Sequence, residues 1–165
     1  MRDKFTFWFI TGHLWIQFIM LGSMLLNTFM VYPNIFYDIP HSFEVGLTFM
    51  EVASPHTYFP PIGLMSILTG FLAFLFVWPY KKERLWVGVS MFMIILEGAA
   101  SIIFEWPRNE IMFIEGASVH SVEFLKQTAR EFLVVHGFRV LCNVAGSIFI
   151  FVGLLKYYRH QISTN

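Results

Sequence analysis

Several ionisable side chains lie within or next to apolar stretches of the sequence, where charged groups are costly and mark functional sites. His136 and Arg139 are one helical turn apart, Glu97 lies in the preceding stretch, and Glu105 directly follows that stretch. Because a guanidinium keeps its charge, Arg139 needs a carboxylate, a bound anion or water at this depth. Glu97 and Glu105 are its predicted partners. Two interpretations stay open: an Arg–Glu pair that only fixes helix register, or an oriented charge in a ligand pocket.

His136 suits proton transfer or ligand binding, because imidazole changes its charge near neutral pH. A hydrogen-bonded packing histidine is the alternative. Asn27 and Asn143 are predicted members of the same polar network, and His56 stands at the entrance to the second apolar stretch. These spacings predict that the polar side chains come together at one site inside the bundle.

A metal or haem site is a further alternative. His56, Glu97, Glu105 and His136 would form a mixed nitrogen and oxygen set, but the apolar stretches contain no Glu-x-x-His pair of the di-iron bundle type. His13 could ligate haem or a metal, or it could make a helix–helix hydrogen bond. With a single cysteine, paired-thiol chemistry is excluded. We favour no cofactor, and leave haem and metal open.

Four apolar stretches must position these groups, at residues 7–31, 59–79, 85–104 and 132–155. Each is long enough to cross a hydrocarbon core, which takes about 20 residues. Apolar residues make up 56% and charged residues 13% of the chain, well below the roughly 25% charged residues of soluble domains. The sequence predicts an all-α integral membrane four-helix bundle in one domain, residues 1–165.

Two longer connections, residues 32–58 and 105–131, contain prolines and acidic residues and cannot stay in lipid. We predict that they form two capping segments over one end of the bundle. Within the second, Ser118 or Ser121 could cap a helix in which Val122, Leu125, Ala129 and Phe132 repeat at helical spacing. That helix is predicted to continue into the fourth span.

The positions of Lys and Arg predict the orientation. If there are four spans, most of these residues lie on one side: Arg2, Lys4, Lys81, Lys82, Arg84, Lys156 and Arg159. The first capping segment contains none. We predict cytoplasmic termini and extracytoplasmic caps, in a bacterial plasma membrane. Eleven basic residues balance eleven acidic ones, so no net field recruits nucleic acid. Expected partners are membrane lipids and a hydrophobic small molecule, with a homo-oligomer or a larger membrane complex left open.

The predicted depth in the membrane divides the polar residues into two groups. Asn27, Glu105, His136 and Arg139 fall in the outer half, with Glu97 and Asn143 nearer the middle. They are predicted to line a pocket that opens outward under the caps. His13 lies about 20 Å from Asn27 along the helix axis, so we expect it to belong elsewhere.

The pattern resembles the anthrone oxygenase-like family of small four-span membrane proteins, most of unknown function. The segment Trp106-Pro107-Arg108-Asn109-Glu110 is similar to a short Pro- and Asn-containing segment of that family, and His136-Gly137-Phe138-Arg139 matches its His-x-x-Arg pattern. The chain departs from the pattern in lacking the tryptophans that often precede that histidine. The resemblance implies oxidation of an activated aromatic carbon by molecular oxygen without a dedicated cofactor. His136 would be the base and Arg139 the oxyanion partner, with Asn109 and Asn143 orienting the substrate.

We therefore expect an oxidoreductase, of oxygenase type, that acts on an aromatic or quinone-like molecule. The predicted catalytic residues are His136, Arg139 and Glu97. The predicted ligand-binding residues are Asn27, His56, Glu105, Asn109 and Asn143. Two other classes stay open: a non-catalytic subunit that binds a ligand, pigment or quinone for a larger complex, and a haem or metal redox protein.

Overall fold

The computed structural model describes residues 2–164, and their regular structure is entirely helical. The predicted domain, 1–165, also includes Met1 and Asn165, which lie outside the described residues. Four helical segments in this part of the chain are long and apolar enough to cross a membrane: Asp3–Phe36, Pro55–Val77, Lys81–Val119 and Val122–Ser163. The protein is thus an integral membrane four-helix bundle, as predicted.

The first and third segments change helix type along their length. The first comprises α1 (Arg2–Leu26), the π-helix π1 (Asn27–Val31) and α2 (Tyr32–Phe36). A short helix α3 (His41–Phe49) leads to the second segment, α4 (Pro55–Val77). The third comprises α5 (Lys81–Ala100), π2 (Ser101–Glu105), α6 (Trp106–Asn109), π3 (Glu110–Glu115) and α7 (Gly116–Val119). The fourth is α8 (Val122–Thr164).

The four long helices form a closed ring, in which α1 packs on α4 and α8, and α5 packs on the same two helices. The start of α1, the end of α8 and the α4–α5 turn lie at one end of the bundle, which we call the terminal end. There the Tyr157 hydroxyl donates to the Asp3 carbonyl at 3.0 Å, and the Tyr80 hydroxyl contacts the Asp3 carboxylate. The opposite, capped end carries α2, α3 and the π3–α7 region.

Two buried apolar clusters hold the bundle together. The capped-end cluster consists of Tyr32, Ile35, Ile39, Phe43, Met112, Leu125, Ala129 and Phe132. The terminal-end cluster consists of Ile10, Leu14, Ala73, Val77, Val87, Ile150 and Tyr157. Between them, the buried residues of α1, α5 and α8 are largely polar. The fold therefore encloses a polar layer between two apolar ones.

The helices that contain Pro33 and Pro107 extend beyond their predicted ends at residues 31 and 104. An α-helix interior disfavours proline, which has no N–H and crowds the carbonyl of residue i−4. A π-helix, π1 or π2, precedes each proline, and its i→i+5 bonds widen the turn at that point. Much of the expected capping segments is therefore continuous helix.

The start of α8 follows the sequence prediction. The backbone N–H of Phe124 donates to Ser121 Oγ at 3.3 Å, so Ser121 caps the helix. Leu125, Ala129 and Phe132 are buried in the capped-end cluster. A helix that runs from Val122 into the fourth span is thus confirmed.

Candidate functional site

Arg139 bridges two carboxylates in the polar layer. Its Nη1 atom donates to Glu105 Oε2 in a close contact, and its Nη2 atom lies 3.7 Å from Glu97 Oε1. All three residues are buried, with exposures of 7%, 3% and 4% for Arg139, Glu105 and Glu97. Both partners predicted for the guanidinium are therefore present, and the charge faces the bundle interior rather than lipid.

The π2 helix brings the two carboxylates onto one face. Glu97 and Glu105 are eight residues apart, which in a regular α-helix places the second about 80° beyond two full turns. A π-helix turns less per residue because its hydrogen bonds reach from i to i+5. The π2 turn thus returns Glu105 to the face of Glu97, where both can contact Arg139.

His136 lies one turn before Arg139 on α8 and contacts the same cluster. Its Nδ1 atom is 3.5 Å from Glu105 Oε1, and its Nε2 atom is 2.9 Å from Thr28 Oγ1. The Tyr32 ring packs edge-on against the imidazole, with centroids 4.6 Å apart. The ring is 2% exposed, so its protonation state depends on these neighbours.

The hydrogen-bond pattern places a proton between His136 and Glu105. Thr28 has one hydroxyl hydrogen, which it donates to the Met24 carbonyl at 2.8 Å. It must therefore accept from His136 Nε2, which assigns that ring nitrogen as N–H. A neutral ring would then turn the lone pair of Nδ1 towards a carboxylate oxygen. A further proton on Nδ1 or on Glu105 would remove the repulsion between the Nδ1 lone pair and the Glu105 oxygen.

The charge count leads to the same conclusion. One guanidinium between two carboxylates leaves one negative charge without compensation. An uncompensated charge at this depth is costly, whereas one bound proton makes the cluster neutral. The titratable groups that meet here among the described residues are Glu97, Glu105, His136, Arg139, Tyr32 and Cys142. Helix α4 contributes the Ser66 hydroxyl described below. We call the first four the ion cluster.

Amide side chains extend the ion cluster towards α1 and α4. Asn143 Nδ2 donates to Glu97 Oε2 at 2.9 Å and lies 3.3 Å from Gln17 Oε1. The Gln17 amide in turn donates to the Ser66 hydroxyl. One polar network therefore joins all four long helices.

His13 lies beyond this network. Its Nδ1 atom is 3.1 Å from Thr69 Oγ1, one turn along α4 from Ser66. Gly70 allows this close approach, because a Cβ there would be 2.9 Å from His13 Cε1. His13 therefore makes a helix–helix hydrogen bond, the alternative to its role as a haem or metal ligand.

The structure does not bring every predicted site residue together. His56 is exposed at the start of α4, and Asn109 is half-buried in α6. Among the described residues, neither makes a hydrogen bond with the ion cluster. Asn27 is buried as the first residue of π1, and its Nδ2 atom has no described partner.

No group of three or more His, Cys, Asp or Glu side chains within residues 2–164 is arranged to hold a metal ion. The alternative set of His56, Glu97, Glu105 and His136 is not assembled, because His56 lies on the surface. Comparisons with protein-family models, curated proteins and solved structures found no match. The functional argument therefore rests on the site itself.

A groove of about 240 Å³ on the outside of the bundle adjoins the ion cluster. It is lined by Thr28, Tyr32, Pro33, Phe36, Tyr37 and Leu133. Thr28 and Tyr32 both contact His136, so one layer of side chains separates groove and imidazole. The sequence predicts a pocket that opens under the caps, but the capped-end cluster fills that position. This groove instead lies at the side, and Arg139 is not part of its wall.

Several buried polar atoms of the ion cluster and of Asn143 have no hydrogen-bond partner among the described residues: Glu105 Oε1, His136 Nδ1, Arg139 Nε and Asn143 Oδ1. Such atoms are rare in folded proteins, because each costs about 1–3 kcal/mol. The proton assigned above accounts for the first two. Arg139 Nε and Asn143 Oδ1 are then the two that remain without a partner in the described part of the chain.

Proposed function

We propose that the protein binds a flat hydrophobic molecule that carries a phenolic hydroxyl or a quinone-like carbonyl, and exchanges a proton with it. The groove is the binding site, and His136 is the proton donor and acceptor. The contact between Thr28 Oγ1 and His136 Nε2 carries the proposal, since it connects the groove wall to the ion cluster.

The groove suits such a ligand in shape and chemistry. Phe36, Tyr37 and Leu133 offer apolar surface to a ring, and Thr28 offers a hydroxyl group at the inner wall. Apart from Tyr37, which directly follows α2, these residues belong to the long apolar helices, so a molecule dissolved in the membrane can enter from the side.

Proton exchange can be written through two atoms. When the cluster holds its extra proton, His136 Nε2 gives a proton to Thr28 Oγ1, and the Thr28 hydroxyl passes its own proton to the ligand oxygen. The reverse sequence removes a proton from a phenol. Glu105 stabilises the charged imidazole, and Arg139 keeps the carboxylates ionised, so Arg139 acts as a positioning residue rather than as a direct oxyanion partner.

Oxidation of the bound molecule, and its oxygenase type, stay predictions that rest on the resemblance to the anthrone oxygenase-like family. Exchange of a proton with an oxygen of the bound molecule is the step that this site is equipped for, and removal of a proton from the substrate requires that the ion cluster has first lost its extra proton. A non-catalytic binding subunit would use the same groove without proton exchange.

We also propose that the terminal end is cytoplasmic, in a bacterial plasma membrane. Lys4, Lys81, Lys82, Lys156 and Arg159 lie at or near that end, whereas residues 32–58 of the capped end contain no Lys or Arg. Short loops rich in Lys and Arg stay in the cytoplasm. The groove and ion cluster would then lie in the outer half of the membrane.

The test uses 1-hydroxyanthraquinone, a flat phenolic quinone whose visible absorption shifts when its hydroxyl ionises. Protein in lipid nanodiscs is titrated with the dye. Leu133→Trp should fill the groove and abolish saturable binding. His136→Gln and Thr28→Val should keep binding but change the ionised fraction of bound dye. His41→Gln, at an exposed histidine, is the matched control.

Each outcome decides between the classes of function. Binding that Leu133→Trp leaves intact would refute the groove as the site. An ionised fraction that is unchanged in both His136→Gln and Thr28→Val would refute proton exchange and favour the binding subunit. A Soret band in the spectrum of the purified protein would establish the haem class instead.

A further inference from the structure

A second groove, of about 470 Å³, lies between α4 and α5 at the terminal end. It is lined by Phe74, Lys81, Arg84, Leu85, Gly88, Val89 and Phe92. Gly88 allows the Phe74 ring to pack closely against α5, because a Cβ there would be 3.0 Å from that ring. Leu85 and Phe92 are 64% and 54% exposed and face outward from the bundle. The groove is thus an apolar channel on the lipid side, with two cations at one end.

These cations have no acidic partner among the described residues. The Arg84 guanidinium is held over the Trp78 ring, 4.4 Å from its centroid, and Nη1 lies 3.3 Å from the Trp78 carbonyl. Lys81 is exposed. The nearest carboxylate in sequence, Glu83, is buried on the other side of α5, with His160 at 3.8 Å. Two positive charges therefore remain available to a ligand at the mouth of the groove.

We infer that this groove binds one anionic phospholipid. Its phosphate would lie between Lys81 and Arg84, and one acyl chain would follow Leu85, Gly88 and Phe92. From Lys81 to Phe92 the helix rises about 16 Å, which matches one leaflet of a hydrocarbon core about 30 Å thick. Basic pockets between membrane helices are typical sites for anionic headgroups. The inference is independent of the proposed function at the other end of the bundle.

Purified full-length protein in detergent micelles is titrated with dioleoylphosphatidylglycerol or dioleoylphosphatidylcholine, and bound lipids are counted by native mass spectrometry. We expect one tight phosphatidylglycerol, bound about tenfold more tightly than phosphatidylcholine. Lys81→Gln and Arg84→Gln should each weaken it roughly fivefold, since each removes one interfacial charge. Lys82→Gln is the matched control, because Lys82 carries the same charge in the same turn but does not line the groove.

Gly88→Leu fills the floor of the groove and should weaken both lipids, while a wild-type circular dichroism spectrum shows that the variant is folded. Equal affinity for the two lipids would overturn the inference, as would equal losses for Lys81→Gln and Lys82→Gln. Displacement of bound lipid by excess glycerol 3-phosphate would also overturn it, by showing that a soluble phosphate suffices.

Discussion

Arg139→Met should destabilise the protein far more than the loss of either carboxylate. The substitution leaves Glu97 and Glu105, which are 4% and 3% exposed, with one bound proton and no guanidinium. The cluster then carries one uncompensated negative charge. Removing one member of a buried ion pair costs about 3–5 kcal/mol. At this chain length such a loss lowers the melting temperature by on the order of 10 °C.

Glu105→Gln should cost much less, about 1 kcal/mol for one altered hydrogen bond. Arg139 keeps Glu97 as its counter-ion, 3.7 Å away, and the cluster becomes neutral by releasing its extra proton. The double variant Arg139→Met with Glu105→Gln is also neutral, with Glu97 and a protonated His136. It should therefore be more stable than Arg139→Met alone.

The assay is unfolding in mixed micelles of increasing dodecyl sulfate content, followed by far-ultraviolet circular dichroism. Arg130→Met is the matched control, because Arg130 is exposed on α8 and its side chain, within the described part of the chain, donates to Gln127 alone, at 2.9 Å. It should stay within about 0.5 kcal/mol of the wild type. Equal costs for Arg139→Met and Glu105→Gln, or additive costs in the double variant, would refute the charge count.

The same variants separate the two interpretations of Arg139. If the ionised fraction of bound dye in the double variant differs from that in Glu105→Gln alone, the guanidinium serves the site. If the two variants give the same ionised fraction, Arg139 serves only to neutralise and align the helices.

Two further predictions concern packing and orientation. Gly70→Ala should lower the free energy of unfolding by about 1–3 kcal/mol, because the new Cβ would be 2.9 Å from the His13 ring. Gly63→Ala is the control for the same unfolding assay and should be tolerated, because a Cβ at Gly63 would have no atom within 4 Å. Cysteine introduced at Val52 should react with a membrane-impermeant maleimide in intact cells, whereas cysteine introduced at Lys82 should not. The native Cys142 is buried and should not react. Labelling at Lys82 but not at Val52 would contradict cytoplasmic termini.

The class of fold and the pairing of Arg139 could be predicted because both depend on local signals. Long apolar stretches identify the spans, and an ionisable residue within a span must find a partner on another helix. The spacing of His136 and Arg139 already places them on one face of α8. These constraints predict a carboxylate partner for Arg139, whereas contact with both Glu97 and Glu105 depends on the π2 turn.

The π-helices could not be predicted, and they account for most of the differences. In a regular α-helix, the buried stripe of α1 that includes Met20, Met24 and Asn27 would continue to Val31. In the structure it continues to Tyr32, because π1 delays the turn by one residue. Tyr32 therefore reaches His136, a contact that a regular helical count does not indicate. No pattern in the sequence marks where a helix will widen.

The sequence also did not indicate which of the polar residues next to the spans would lie on the surface. His56 was assigned to the site because it stands next to an apolar stretch, but position along the chain does not determine which face of a helix a side chain occupies. Asn109 was included through the resemblance alone. Thr28, which touches both the groove and His136, was missed because a single threonine in a membrane helix usually bonds only to its own backbone, as Thr28 also does.

The layered arrangement has a consequence for what the ion cluster can do. Towards the terminal end, the polar network extends through Gln17 and Ser66, and His13 follows one turn further on. Beyond His13, Ile10 and the rest of the terminal-end cluster are fully packed. Towards the capped end, Phe132 and its neighbours close the bundle. Of the surfaces described, the Thr28 groove comes closest to the cluster, so protons should be exchanged with a ligand in the membrane rather than conducted across it.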